Sequence, residues 1–195
     1  KFSKPITYVG SAVILLIGGW YGYKYFVTAP KAQKASEVIF PAEKLFKEMS
    51  NNTGFSKDSA NILLNGGTLD GTTVTGLLKV ISKYSGTPAG NLAEYMTGAC
   101  YLHLGEFDKA IKHLKEFDGN GAGQIESAAF RMLGDAYAEQ KKNDEALSNY
   151  KKAIDAASSK DESTKFLSLS RAALFCDATG KTKEAIEFFT RIKEE

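Results

Sequence analysis

The apolar positions of this chain change rhythm twice along its length. From Pro5 to Tyr23 no side chain is charged, and residues 9–23, VGSAVILLIGGWYGY, are apolar or small throughout. Beyond Tyr23 the apolar residues thin into stripes at helical spacing. After Thr87 those stripes begin to repeat. The three regimes divide the chain into 1–29, an N-terminal segment; 30–86, an irregular helical stretch; and 87–195, a periodic domain.

The first regime predicts a membrane anchor. Its nineteen uncharged residues reach about 29 Å as a helix, close to the ~30 Å of a bilayer's hydrocarbon core. Val13, Ile14, Leu15, Leu16, Ile17, Gly18, Gly19 and Trp20 form the centre and one edge. Tyr21, Tyr23 and Tyr25 join Trp20 as an interfacial belt would. Gly18 and Gly19 suit the close approach of another helix within a membrane. A cleavable leader fits less well, because its apolar region is usually shorter and Pro30 would follow a cut after Val27-Thr28-Ala29. Lysines on both sides of the run leave its orientation open.

In the second regime Thr28-Ala29-Pro30 is expected to interrupt the anchor. An amphipathic segment from Lys31 to Met49 follows, with Pro41 as a kink or restart. Asn51-Asn52-Thr53-Gly54 reads as a turn, Ser56 to Leu64 as a short helix, and Asn65-Gly66-Gly67 as its end. Asp70-Gly71-Thr72 then starts a helix through Leu77, Leu78, Val80 and Ile81 to Tyr84, and Thr87-Pro88 starts the next. The glycine clusters lack phosphate-loop spacing, which leaves capping as their role.

The third regime is repetitive. GACYLHLGEFDKAIKHLKEF, GDAYAEQKKNDEALSNYKKA and, from its second residue, AALFCDATGKTKEAIEFFTRI superimpose, recurring after 36 and then 39 residues. Each copy places a small residue (Gly98, Gly134, Ala173), then Tyr101, Tyr137 or Cys176, then an alanine (Ala110, Ala146, Ala185). Beyond each alanine runs one helical stripe: Leu114 and Phe117, Tyr150 and Ala153, Phe189 and Ile192. A polar turn divides each copy, so each is an antiparallel helix hairpin. The fold class expected is all-α: a single transmembrane helix followed by an α-solenoid, with 30–86 as one or two degenerate pairs capping it.

This pattern, including Leu133-Gly134-Asp135-Ala136-Tyr137, resembles the tetratricopeptide-repeat motif from about Asn91 to Ile192. Glu94, Phe130 and Leu169 stand where the family has tryptophan, and the closing proline is absent. By that resemblance the partner-facing positions are Leu92, Tyr95, Ala99, Leu102 and His103 in the first copy. In the second they are Ala128, Arg131, Asp135, Ala138 and Glu139. The candidate groove is thus Leu92, Tyr95, His103, Arg131 and Asp135. Packing of Leu92 and Tyr95 beneath the preceding helices is the competing reading. Tyr95 and Ala99 occupy the positions where chaperone-tail binders of the family carry lysine and asparagine, which disfavours a cytosolic chaperone adaptor or an organellar import receptor.

A net charge of +2 with no basic stripe argues against nucleic acid. Cys100 and His103 have C-x-x-H spacing, but Cys100 and Cys176 lie two repeats apart. They read as buried free thiols, neither disulfide partners nor metal ligands. Two histidines support no acid–base constellation. No enzyme activity, cofactor or small-molecule substrate is expected.

Tyr84 to Ala93, YSGTPAGNLA, together with an N-terminal anchor and a short repeat domain, resembles the YfgM family of ancillary Sec-translocon subunits, in its Bacteroidota type. The resemblance implies a single-pass protein of the bacterial inner membrane with a periplasmic repeat domain. Its partners would be SecYEG and a membrane-anchored PpiD-like chaperone, with emerging polypeptides as clients. A structural scaffold of a secretion or cell-division complex is the alternative. The two differ in whether the groove touches translocating chains.

Overall fold

Ser3 to Asn51 is one unbroken helical run. Helix α1 (Ser3–Tyr23) passes through a single π turn (Lys24–Thr28) into α2 (Ala29–Asn51). The computed structural model describes residues 3–51, 56–69, 71–157 and 161–194, and within these the side chains of all but 3–7, 10, 11 and 51. The break expected at Thr28-Ala29-Pro30 does not occur. Pro30 brings no N–H, and in a regular helix its ring would press on the carbonyl four residues back. A wider turn stands just before it, closed by the Ala29 N–H on the Lys24 carbonyl, and the helix continues. Pro41 lies inside α2 without restarting it.

The anchor expectation needs correction. Among the described residues no helix is long and apolar enough to cross a membrane. The strongly aliphatic stretch of α1, residues 12–17, is short and gives way to Gly18, Gly19, Trp20 and Tyr21. Val13, Ile14, Leu15, Leu16, Ile17 and Trp20 are nonetheless all exposed, and nothing stands within 4 Å of a Cβ placed on Gly18 or Gly19.

A second correction concerns residues 66–75, read above as a helix end and a helix start. Helix α3 (Lys57–Asn65), capped by the Ser56 hydroxyl on the Ser59 N–H, is followed by an antiparallel hairpin of β1 (Gly66–Leu69) and β2 (Thr72–Thr75). Gly66 faces Thr75 and Leu69 faces Thr72. Thr68, Thr72, Thr73, Val74 and Thr75 are β-branched and favour a pleated strand. Gly71, at φ +77°, supplies the left-handed turn. Gly76 then lets β2 cross the end of α3, since a Cβ there would lie 2.4 Å from the Asn65 carbonyl carbon. Helix α4 (Leu77–Tyr84) follows. The turn expected over residues 51–54 lies outside the described residues, except that Asn51 closes α2.

The remaining helices form three hairpins: α5 (Pro88–Leu104) with α6 (Phe107–Glu116), α7 (Gly123–Glu139) with α8 (Asn143–Ala156), and α9 (Glu162–Ala178) with α10 (Thr182–Glu194). The Thr87 hydroxyl accepts from the Gly90 N–H at 3.1 Å and donates to the Tyr84 carbonyl at 2.7 Å. It therefore ties α5 to the end of α4.

Small residues set the spacing within each hairpin. A Cβ on Gly98 would meet Leu114 Cγ at 2.5 Å, and one on Gly134 would meet Tyr150 Cε1 at 2.4 Å. The third copy has Ala173 at this place, so the equivalent Phe189 has no such slot. Leu114 and Tyr150 are each 2 % exposed, whereas Phe189 is 46 % exposed and its neighbour Phe188 is buried instead. Tyr101, Tyr137, Ala110, Ala146 and Ala185 are buried as well.

Two apolar clusters result. One joins Ala35, Ile39, Ala42 and Met49 of α2 to α3, β2, α4 and α5. The other runs from Leu114 through α7, α8, α9 and α10 to Phe188. Tyr95 packs against both.

Candidate partner-binding groove

The first helices of the three hairpins, α5, α7 and α9, together border a cavity of about 380 Å³. Its lining is Tyr95, Ala128, Arg131, Met132, Asp135, Leu167 and Arg171. A smaller hollow of about 220 Å³ shares Asp135 and Arg171 and continues to Ala138, Glu139, Tyr150, Leu174 and Phe175. The two form one groove with a polar floor between apolar patches.

Asp135 organises that floor. Arg171 grips it with both arms of its fork, Nε to one oxygen at 2.7 Å and Nη2 to the other at 2.8 Å. The Tyr150 hydroxyl donates to the first oxygen at 2.7 Å. Such a bidentate pair is both directional and strong. Burial holds the Tyr150 phenol well above its ordinary range, and the adjacent Asp135 raises it further. Hydrogen bonding to Asp135 raises the Arg171 guanidinium, against the opposing effect of burial.

Arg131 sits differently. Its Nη1 donates to Ser168 Oγ at 3.0 Å and to Ser127 Oγ at 3.3 Å. Those hydroxyls are buried and joined to one another at 2.8 Å. Ser127 is placed to donate to the Ala153 carbonyl and Ser168 to that of Thr164. Burial lowers the Arg131 pKa, while Tyr95 and Asp135 counteract this. Tyr95 lies between Phe46, edge-on with ring centroids 6.2 Å apart, and Phe117, tilted at 5.4 Å. Burial raises its phenol and the nearby Arg131 pulls it back.

Of the residues expected in the groove, Tyr95, Arg131 and Asp135 come together. Leu92 instead packs half-buried against the first apolar cluster. His103 is exposed near the end of α5 and lines neither hollow. The Tyr95 ring packs against Phe46 of α2, and its side chain also borders the cavity.

Sequence reasoning missed Arg171, Leu167, Leu174 and Tyr150. Leu167 and Leu174 could have been found by carrying the offsets of Ala128 and Asp135 into the third copy. Arg171 lies one position beyond the equivalent of Arg131, which is Ser170.

Chemistry is sparse elsewhere. Cys100 and Cys176 are buried free thiols, and burial pushes Cys100 up to about 12, far from a reactive thiolate. Among the described residues no group of histidine, cysteine and carboxylates could hold a metal ion.

A Tetratricopeptide repeat profile matches residues 92–118, which cover most of α5 and all of α6. A second profile of the same description matches 129–160, which hold most of α7 and all of α8. The chain thus carries two segments that match the tetratricopeptide repeat. Among solved structures it is similar to MamA 41-end from Desulfovibrio magneticus RS-1, at 19% identity and a TM-score of 0.53. The match covers 78% of this chain and 74% of that one. The MamA RS-1 ArsTM double mutant matches over the same shares at 19% identity and a TM-score of 0.54. At that identity the likeness concerns the fold alone. No curated protein matches the chain. Tetratricopeptide repeats are protein-interaction modules of a typically non-enzymatic scaffold family.

Proposed function

We propose that this chain is a membrane-associated docking module, an ancillary subunit of the Sec translocon that receives translocated polypeptides on the periplasmic side. The observation that carries the reading is the pairing of an exposed apolar helix with an open groove. Helix α1 displays Val13, Ile14, Leu15, Leu16, Ile17 and Trp20 to its surroundings. Contiguous apolar surface of that kind marks contact with lipid or protein. The same helical run enters the repeat core through α2, so whatever holds α1 also positions the groove. Gly18 and Gly19 leave room for another helix beside it. Confinement near a channel raises the local concentration of the groove, and weak contacts then suffice.

The translocon as host, SecYEG and a PpiD-like chaperone as neighbours, and the bacterial inner membrane as location rest on the YfgM-like stretch from Tyr84 to Ala93. Its Gly90 has a structural reason, because a Cβ there would lie 2.3 Å from the Tyr84 carbonyl oxygen.

Photo-crosslinkers at Tyr95 and Arg131 test the reading in membranes carrying stalled translocating chains. Adducts to those chains are expected. Adducts to resident envelope subunits alone would favour a structural scaffold of a secretion or cell-division complex. Affinity purification in mild detergent that recovers no Sec subunit would remove the translocon from the proposal.

A further inference from the structure

The cavity between α5, α7 and α9 holds a cation that forms no ion pair with a carboxylate among the described residues. Arg171 is matched by both oxygens of Asp135. Arg131, beside them, meets no carboxylate among the described residues. Its Nη1 rests on two serine hydroxyls. The other three N–H groups of its fork have no acceptor among the described residues, although the side chain lines the cavity. The Tyr95 hydroxyl, on the same cavity, is likewise without a hydrogen-bond partner there. Around this pair the lining is apolar: Met132 and the exposed Leu167 in the cavity, and the exposed Leu174 one hollow further on.

We propose that the groove takes an acidic side chain of an extended polypeptide, its carboxylate on Arg131 and Tyr95 and its apolar neighbours on Met132, Leu167 and Leu174. This rests on the docking reading above and specifies what docks. The local charge selects a monoanion. In the first cavity two guanidiniums, Arg131 and Arg171, face one carboxylate, Asp135, while the exposed Glu139 borders the next hollow. A doubly charged phosphate would exceed what the cavity can match and would face both carboxylates. Burial of Arg131 strengthens the interaction relative to one in water. The apolar flanks require that the carboxylate arrive on a chain with hydrophobic side chains, not as a free ion.

Display of random dodecapeptides against the full chain in mild detergent tests this, with affinities of selected peptides measured by fluorescence anisotropy. Wild type is expected to enrich Asp or Glu beside Leu, Ile, Val or Phe. Changing the selected acid to its amide should weaken binding about tenfold. Arg131→Gln should cost the acidic peptide about tenfold and leave the amide peptide unchanged. The serine pair keeps its own hydrogen bonds without Arg131, so the variant should fold, and Arg131→Lys should retain part of the preference. Selected peptides without acid enrichment, or an equal loss for both peptides in Arg131→Gln, would overturn the carboxylate inference and leave docking in place. Failure to select any peptide that crosslinks at Tyr95 would overturn both.

Discussion

The slot at Gly134 gives a sharp test of how the repeats are held. Gly134→Ala places a Cβ 2.4 Å from Tyr150 Cε1, 2.6 Å from Cδ1 and 2.9 Å from Cζ. The ring has little freedom to withdraw, being 2 % exposed and tied through its hydroxyl to Asp135 at 2.7 Å. Two effects oppose. Alanine is the better helix former by about 1 kcal/mol, whereas overpacking a filled core costs about 1–3 kcal/mol. Displacing the ring also weakens a hydrogen bond to a charged group worth about 1.5–3 kcal/mol.

The expected net loss is about 2 kcal/mol, a fall in melting temperature of roughly 4–8 °C for a chain of this size. Urea and thermal unfolding of the full chain, followed by circular dichroism, measure it. Pairing with Tyr150→Leu should recover at least ~1 kcal/mol in a double-mutant cycle. A change within 0.5 kcal/mol, or strict additivity of the two substitutions, would refute the steric argument. The third copy displays the outcome, since Ala173 fills the slot and Phe189 stands outside.

Gly90→Ala should lose about 3 kcal/mol in the same unfolding assay, because its Cβ meets backbone and not a movable side chain. Cys100 sets an alkaline limit. Its folded thiol is raised to about 12, so between about pH 9 and 12 the folded state keeps a proton that the unfolded chain releases. Stability should fall with rising pH there by up to ~1.4 kcal/mol per unit, and Cys100→Ala should flatten that part of the profile. Trp20 is the chain's single tryptophan. Its fluorescence should shift to the blue on adding phosphatidylcholine vesicles, and the vesicle-bound fraction should vanish when residues 1–23 are removed.

The repeat domain was legible because its signal is periodic. Gly98, Gly134, Ala110 and Ala146 recur at fixed offsets and face what those offsets require them to face. The hairpin at 66–75 was not, although Asp70-Gly71 between threonine-rich flanks is a hairpin signal. The same glycines fit helix ends equally well, and the deciding contact, Gly76 across Asn65, is between strand and helix. Pro30 misled for a related reason. A proline predicts a missing hydrogen bond, but not that a wider turn will absorb it. In the groove, Arg131 and Asp135 were found by repeat position, whereas the partner that neutralises Asp135 lies one residue out of register.

The π turn at Lys24–Thr28 decides what kind of link joins the two ends of the molecule. Had Pro30 broken the chain, the groove would swing freely relative to α1 and sample every bearing. An uninterrupted helix, about 70 Å from Ser3 to Asn51, behaves as a strut with a fixed azimuth. If α1 is held as proposed above, rotating it must turn the mouth of the groove by the same angle. A one-residue insertion ahead of Pro30, about 100° of helical phase, would therefore aim an intact binding surface in the wrong direction.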